Sequence, residues 1–419
     1  MKKNYFMGMK ALLLGLFTMN AMMLMADGSV SNSNMSVAYL RNPAREGAID
    51  IDGVYYNPAG TAFLSNGLHF GISLQTAVTQ RDNKSIFEWK KEDAEAAYKE
   101  FKDKGYPILP AVHFTYNWDR WNVQAGFNIT GGDGKNKYDD TYVSALNLKS
   151  LTTESYQYGI FVGTSFEVIK EWLSISAGLQ GVYASNKYNG SLTDDSSFKG
   201  RQTGFGVTPV LGADFRFGDR LNLSVRYQFQ NVVKMSTNFD DIDADDTLNE
   251  LKAIVNYDKD NKKIRSDVPG FLSVGAQVSI IKSLRLNAAY RYYDEKHAKN
   301  DIIEGVGKNK GTHEPAFGLE WDIFKYVTAS VGYQGSIYGS TEKELLSSWE
   351  NFKSVKLNNH SLMLGVRLNF GSHVSIDLGY MHTFYKSKDL TVEETADGTG
   401  TVTLKRQSDL FGAGVNLTF

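Results

Sequence analysis

The chain has 419 residues, no cysteine and a formal net charge of −2. The absence of cysteine excludes a disulfide framework and thiol chemistry, and the near-neutral balance argues against nucleic acid as a partner. Beyond the N-terminal leader no apolar run approaches the roughly 20 residues of a spanning helix, so any residence in a membrane must be as a closed barrel.

Lys2, Lys3 and Lys10 precede an apolar run from Ala11 to Met25, and a small residue, Ala26, is followed by Asp27. This is the pattern of a secretory signal over residues 1–26. Leu24 departs from the small residue expected at the third position before the cut. With no cysteine after it, lipoprotein anchoring is excluded.

Residues 27–66 show no strand pattern. They are too few for an independent domain and suit a short segment tucked into a barrel lumen. The segment ends near Asn57-Pro58-Ala59-Gly60. Pro58 fixes its own φ and pushes Asn57 out of the helical region. The Asn57 side chain can satisfy neighbouring backbone groups, and Gly60 permits a strained turn. The motif reads as a tight turn, and as a candidate for locking the segment against a barrel wall.

From Gly67 to Phe419 fourteen segments alternate apolar and polar residues, at about 67–80, 109–118, 121–130, 153–168, 171–185, 203–217, 220–231, 269–281, 283–293, 312–322, 325–337, 358–370, 373–385 and 406–419. In the seventh, Leu221, Leu223, Val225, Tyr227 and Phe229 oppose Asn222, Ser224, Arg226, Gln228 and Gln230. Period 2 denotes strands with two unlike faces. The junctions at Asp119–Arg120, Ile169–Lys170, Gly218–Asp219, Lys282, Ile323–Phe324 and Gly371–Ser372 are tight, whereas 81–108, 131–152, 232–268 and 386–405 are long and charged. Strict short–long alternation is the connection rule of outer-membrane barrels, and an even strand count lets the sheet close without an edge. The expected fold is all-β, a 14-stranded antiparallel transmembrane β-barrel (67–419) with an N-terminal hatch (27–66). Aromatics form 13% of the chain, many at strand ends (Trp118, Trp121, Trp172, Trp321), as interfacial girdles require.

The long loops carry helical spacing. Glu88–Lys104 places Ala94, Ala97, Tyr98 and Phe101 on one stripe, Glu344–Phe352 places Leu345, Leu346, Trp349 and Phe352, and Leu248–Val255 does the same. Such helices would pack as a lid or form a greasy groove for an apolar ligand, with Tyr98, Phe101, Trp349 and Phe352 as candidate contacts. On the lumen-facing parity lie Asp214, Arg216, Arg226, Arg285, Arg291, Glu320, Asp322, Arg367 and Asp377. A carboxylate-bearing ligand would need an unpaired arginine beside an apolar pocket, which makes Arg226, Arg285, Arg291 and Arg367 the candidates. The seven histidines show no metal-binding spacing and read as lumen, loop or turn residues. The acidic run Asp240–Asp246 lacks the glycine and final glutamate of a calcium loop. Gly131-Gly132-Asp133-Gly134 reads as an external loop rather than a phosphate cradle, and no GxSxG appears. No cofactor, metal site or enzymatic activity is expected.

The Asn57-Pro58-Ala59-Gly60 motif, shortly before the first strand and after Gly47-Ala48 and Asp52, resembles that of the FadL/TodX outer-membrane transport proteins. The stretch Ile49–Tyr56 is poorer in Ala and Ser than is usual there. The resemblance implies a bacterial outer-membrane barrel plugged by a hatch that bears this motif. It implies passive import of long-chain fatty acids or aromatic hydrocarbons captured at external loops, with an exit that can run sideways through the wall. Further expected partners are the lipid bilayer, lipopolysaccharide and the barrel insertion machinery, the last through a final strand ending on Phe419; the chain would be a monomer. The competing class is a surface receptor for haem or host components, in which His297 and His313 would matter.

Overall fold

The computed structural model describes residues 33–89, 97–105, 108–138, 148–192, 197–242, 264–299, 310–339, 357–395 and 398–419. Two short helices, α1 (Val37–Arg41) and α2 (Gly53–Tyr56), and a 3-10 turn (Gly60–Phe63) precede the strands. The strands are β1 (Gly67–Trp89), β2 (Ala97–Gly105), β3 (Ile108–Trp118), β4 (Trp121–Tyr138), β5 (Leu148–Ile169), β6 (Leu173–Leu192), β7 (Ser197–Phe217), β8 (Leu221–Gln228) and β9 (Lys234–Ile242), then β10 (Ile264–Arg265), β11 (Gly270–Ile281), β12 (Leu284–Asp294), β13 (Thr312–Phe324), β14 (Val327–Tyr338), β15 (Asn359–Phe370), β16 (Val374–Tyr385), β17 (Lys388–Thr395) and β18 (Gly398–Thr418).

All pairings are antiparallel, and β1 pairs with β18 along its whole length, from His69↔Thr418 to Trp89↔Gly398. Four staves are each made of two successive segments (β2 with β3, β8 with β9, β10 with β11, β16 with β17), so the wall is a closed barrel of fourteen staves. Closure removes the edges that a membrane would leave unsatisfied. At the foot, the Leu68 N–H donates to the Phe419 carbonyl at 3.1 Å and the Phe419 N–H to that of Leu68 at 2.8 Å, sealing first strand to last.

The tight turns fall on one end. Asp119 and Glu171 take positive φ of 48° and 62°, and Gly218 and Gly371 take 61° and 69°. The turn between β13 and β14 sits at Lys325–Tyr326, two residues beyond the sequence expectation, since β13 continues through Phe324. The strand faces divide as the alternation requires. Ile72, Leu74, Ile160, Val162, Leu362, Leu364, Trp321 and Phe411 are exposed on the outer wall, while Asn122, Gln124, Ser174, Asp214, Asn287 and Ser408 are buried in the lumen.

The upper wall differs from the sequence expectation. Residues 97–105, with Tyr98 and Phe101, are not helical: β2 pairs with β1 from Thr79↔Gly105 to Phe87↔Ala97, and β1 itself runs to Trp89. The 3.6-residue stripe is real, but β1 and β4 both offer open ladder groups above the barrel, and pairing with them overrides a local helical preference. The Gly131–Gly134 stretch likewise lies inside β4, where the β4–β5 register shifts at Ile129/Gly131 and again at Gly131/Gly134. The leader, the 248–255 and 344–352 stretches with Trp349 and Phe352, and most of the acidic run lie outside the described residues.

Candidate functional site

Residues 33–63 fill the lumen, and Tyr39, Leu40, Arg41, Ala44, Arg45, Asn57 and Ala59 are buried. Ser36 caps α1, its Oγ accepting the Tyr39 N–H at 3.1 Å and donating to Asp52 at 2.8 Å. The helix lies against a row of inward glycines. Gly365, Gly379 and Gly412 are mutual neighbours across β15, β16 and β18, and Gly318 faces Gly332 across β13 and β14. A Cβ on Gly379 would stand 2.6 Å from the Leu40 Cβ, one on Gly365 2.5 Å from the Arg41 Cγ, and one on Gly412 2.8 Å from a Val37 methyl. Gly318 would meet the Asn42 side chain and Gly332 the Pro43 ring. The absence of side chains along this row is what lets a helix sit directly on the wall.

One side of the hatch is ionic. Arg41 pairs with Asp377 at 2.7 Å and Glu320 at 3.5 Å. Arg45 grips Asp50 at 2.8 Å and Asp52 at 2.9 Å. Arg367 binds Asp377 through both carboxylate oxygens at 2.8 Å and reaches Asp50 at 2.8 Å. Arg285 makes a two-point pair with Asp322 at 2.7 and 2.8 Å. Arg291 clamps Glu46 through Nε and Nη2 and also donates to the Pro43 carbonyl. Burial favours the neutral form of Asp50, yet Arg367 and Arg45 outweigh it and hold the carboxyl at about 2.

The other side is a latch of hydrogen bonds built on Asn57-Pro58-Ala59-Gly60. The Asn57 Oδ1 accepts the Gly60 N–H at 3.0 Å, and its Nδ2 donates to Asp214 of β7. Gln124 of β4 donates to the Pro58 carbonyl at 2.9 Å, and Ser174 of β6 to the Ala59 carbonyl at 2.7 Å. Asn222 of β8 reaches both Asp214 and the Gly47 carbonyl at 2.9 Å. A Cβ on Gly60 would strike the Asn57 amide and stand 3.0 Å from the Asp214 carboxylate, so glycine is needed there for space. The turn is thus stitched to β4, β6 and β7 by hydrogen bonds to wall side chains.

Above the latched hatch lies a small cavity lined by Tyr55, Thr130, Gln157, Val182, Gln228, Val268, Pro269, Phe271 and Tyr293. Its free space is about 20 Å³, room for one or two waters. Arg226 lies over the rings of Tyr55 and Phe271, 4.6 and 4.5 Å from their centroids, and donates to the Gln228 amide oxygen at 3.0 Å. Among the described residues it has no carboxylate within ion-pair reach, in contrast with Arg285, Arg291 and Arg367. Among the described residues its Nε and the Tyr293 hydroxyl are buried without a hydrogen-bond partner. A site with aromatic walls and two unmet donors is matched to an apolar molecule bearing an oxygen acceptor.

The wall beside this cavity is interrupted. β3 pairs with β4 only from Val112↔Phe127 to Trp118↔Trp121, and β2 resumes the pairing at Gly105↔Asn136. Between these points β4 carries its register shifts, and Ile129 is drawn into a buried cluster with Leu109 and Tyr55, against which Phe127, Tyr156 and Tyr158 pack.

Neither a family model nor a curated protein matches the sequence. Solved structures do match. A FadL homologue of Pseudomonas aeruginosa is 14% identical at a TM-score of 0.67, covering 90% of this chain and 98% of that one. The Pseudomonas putida toluene transporter TodX is 11% identical at 0.61, covering 96% and 100%. The Ralstonia pickettii toluene transporter TbuX is 13% identical at 0.56, covering 90% and 98%. The fold is that of the FadL/TodX channels. At these identities the FadL/TodX likeness is one of architecture, and the side chains of the site are this chain's own.

Sequence reasoning reached the turn from its motif and the four arginines from lumen parity, but did not separate Arg226 from the rest. It missed Tyr55, Tyr293, Phe271 and the glycine row; the recurrence of single glycines at lumen parity was the available signal. It also misplaced three histidines. His313, His360 and His382 point out of the barrel, where they meet Tyr290, Tyr333 and Asp409. Their alternation with lumen residues such as Thr312, Asn359 and Thr383 sets that face. His297 faces Asp294 at 2.7 Å, so His297 and His313 are each engaged by a neighbour.

Proposed function

We propose that the protein mediates passive, selective uptake of hydrophobic molecules across a bacterial outer membrane, without catalysis. The carrying observation is the cavity lined by Tyr55 of the hatch, Phe271 and Tyr293, with the Tyr293 hydroxyl unmet there and the unmet Arg226 Nε beside the same two rings, Tyr55 and Phe271. Residues 27–66 act as the hatch. The ligand class is long-chain fatty acids or aromatic hydrocarbons; toluene is what TodX and TbuX are named for. A cavity of this size admits a ligand only when Tyr55 withdraws, so binding and hatch movement are coupled. The interrupted β3–β4 ladder beside Ile129 supports release through the wall.

Arg226 and Tyr293 are the residues proposed to hold a ligand's polar head. The test is uptake into proteoliposomes of a fluorescent long-chain fatty acid and of radiolabelled toluene, for wild type and Arg226→Leu. Loss of a charge-assisted hydrogen bond is worth about 1.5–3 kcal/mol, so fatty-acid affinity should fall about 10- to 150-fold while toluene uptake is unchanged. Equal loss for both substrates refutes the head-group role, and uptake of neither by the wild type refutes the transport reading.

A further inference from the structure

The cavity beside Arg226 belongs to one charge network with the hatch, and that network is already balanced. Arg291 of β12 clamps the Glu46 carboxylate, with Nη2 2.9 Å from Oε2, and its Nη1 stands 3.9 Å from Glu314 of β13. Glu314 is otherwise held by the hydroxyls of Ser33 and Ser336, which donate to it at 2.9 and 3.3 Å. Arg226 of β8 supplies the second cation, and all four side chains are buried. Two guanidinium groups therefore stand against two carboxylates.

Among the described residues no other element brings a compensating charge to the cavity. β4, β5 and β6 present Thr130, Gln157 and Val182, β8 and β11 present Gln228 and Phe271, and the hatch presents Tyr55. On β7 the buried lumen residues at this level are Thr208 and Val210, the latter opposite Gln228. β14 contributes Gln334, whose amide oxygen accepts from Arg291 at 3.3 Å. The Tyr39 ring of the hatch lies 5.4 Å from the Arg291 guanidinium, and the Tyr293 phenol is within electrostatic reach of Glu314 and Arg291. Above, Asp267 is matched by Arg265, Glu295 is acidic and buried, and Lys296 and Lys299 are exposed.

Hydrogen-bonding capacity points the same way. The open donors are the Arg226 Nε–H and the Tyr293 O–H. One carbonyl oxygen has two lone pairs and can accept both, whereas an ionised carboxylate offers about four acceptor sites and no donor. The Gln228 amide oxygen, which takes the Arg226 N–H at 3.0 Å, keeps a second lone pair for an acid's own O–H. An acid arriving ionised would set three carboxylates against two guanidinium groups in a space walled by rings, and a buried charge without compensation takes up a proton instead.

We propose, resting on the uptake reading above, that the cavity takes a carboxylic acid in its uncharged form, so that one proton from the external solution enters with each molecule. Glu314 sets this preference by balancing the charge that Arg226 would otherwise offer to an anion. It acts through the field at the site, since it does not line the cavity. Alcohols and undissociated acids fit such a site, and ionised acids do not.

Binding of radiolabelled decanoic acid and decanol to the detergent-purified barrel, corrected for protein-free micelles, tests this. A free carboxyl ionises near about 4.3, so between about pH 6 and about pH 8 the affinity for the acid should fall about 100-fold while that for the alcohol stays constant. In Glu314→Gln the Arg226 charge is uncompensated, and the fall should shrink to less than about threefold with decanol binding unchanged. An affinity for the acid that does not change with pH in wild type overturns the proposal, as does an undiminished fall in the variant. Binding of decanol with no binding of the acid at either pH also overturns it and leaves the uptake reading standing, whereas binding of neither ligand refutes that reading itself. Should the variant not fold, the comparison of acid with alcohol on wild type decides alone.

Discussion

Asn57→Ala perturbs the latch at its centre. The substitution removes the acceptor of the Gly60 N–H and one of the two amide donors that hold the Asp214 carboxylate, both in buried surroundings. A neutral hydrogen bond contributes about 1 kcal/mol and one to a charged group about 1.5–3, so the closed hatch loses about 2.5–4 kcal/mol. At 1.4 kcal/mol per tenfold the open population rises about 60- to 700-fold. The wall ladders are untouched, so barrel stability should not change. The chain has no cysteine, so a single Ala62→Cys reports hatch opening through its maleimide labelling rate, Ala62 being buried when the hatch is closed. The labelling rate in the Asn57→Ala background should rise by that factor. An unchanged rate with normal barrel mobility would refute the idea that the turn holds the hatch.

Two further outcomes follow from the same geometry. Gly379→Ala places a methyl 2.6 Å from the Leu40 Cβ; overpacking of this kind costs about 1–3 kcal/mol, and because α1 is the movable partner, single-channel conductance should rise while the heat-modifiability midpoint stays put. For pH, the Asp50 carboxyl is held at about 2 against about 3.9 when free. A depressed value gives a contribution complete above about pH 4 and lost as pH falls through about 2. Planar-bilayer conductance should therefore rise as pH falls below about 3, and no rise there would show that the Asp50 pairs with Arg367 and Arg45 do not hold the hatch.

The barrel and the gathering of its tight turns at one end were legible in the chain because they rest on local rules. Alternation in Leu221–Gln228 or Leu284–Asp294 assigns each side chain to lipid or lumen without knowledge of any partner strand. Positive-φ turns at Asp119, Gly218 and Gly371 mark one end. The helical stripe over 88–104 misled for the complementary reason: its local preference was overruled by ladder groups on β1 and β4.

By itself the sequence determined a fourteen-stave barrel with a short plug and a structured turn at Asn57-Pro58-Ala59-Gly60, since strand period, turn chemistry and segment length are properties of neighbouring residues. Only the tertiary structure decided which arginine has no carboxylate partner among the described residues. Arg291 is neutralised by Glu46, 245 positions away, and Arg367 by Asp50 of the hatch, whereas Arg226 meets two aromatic rings and an amide. All four share lumen parity, and parity fixes the face of a strand but not what crosses the lumen to meet it. That depends on where the hatch comes to rest, and the glycine row of β13 to β18 together with the latch on β4, β6 and β7 sets that position.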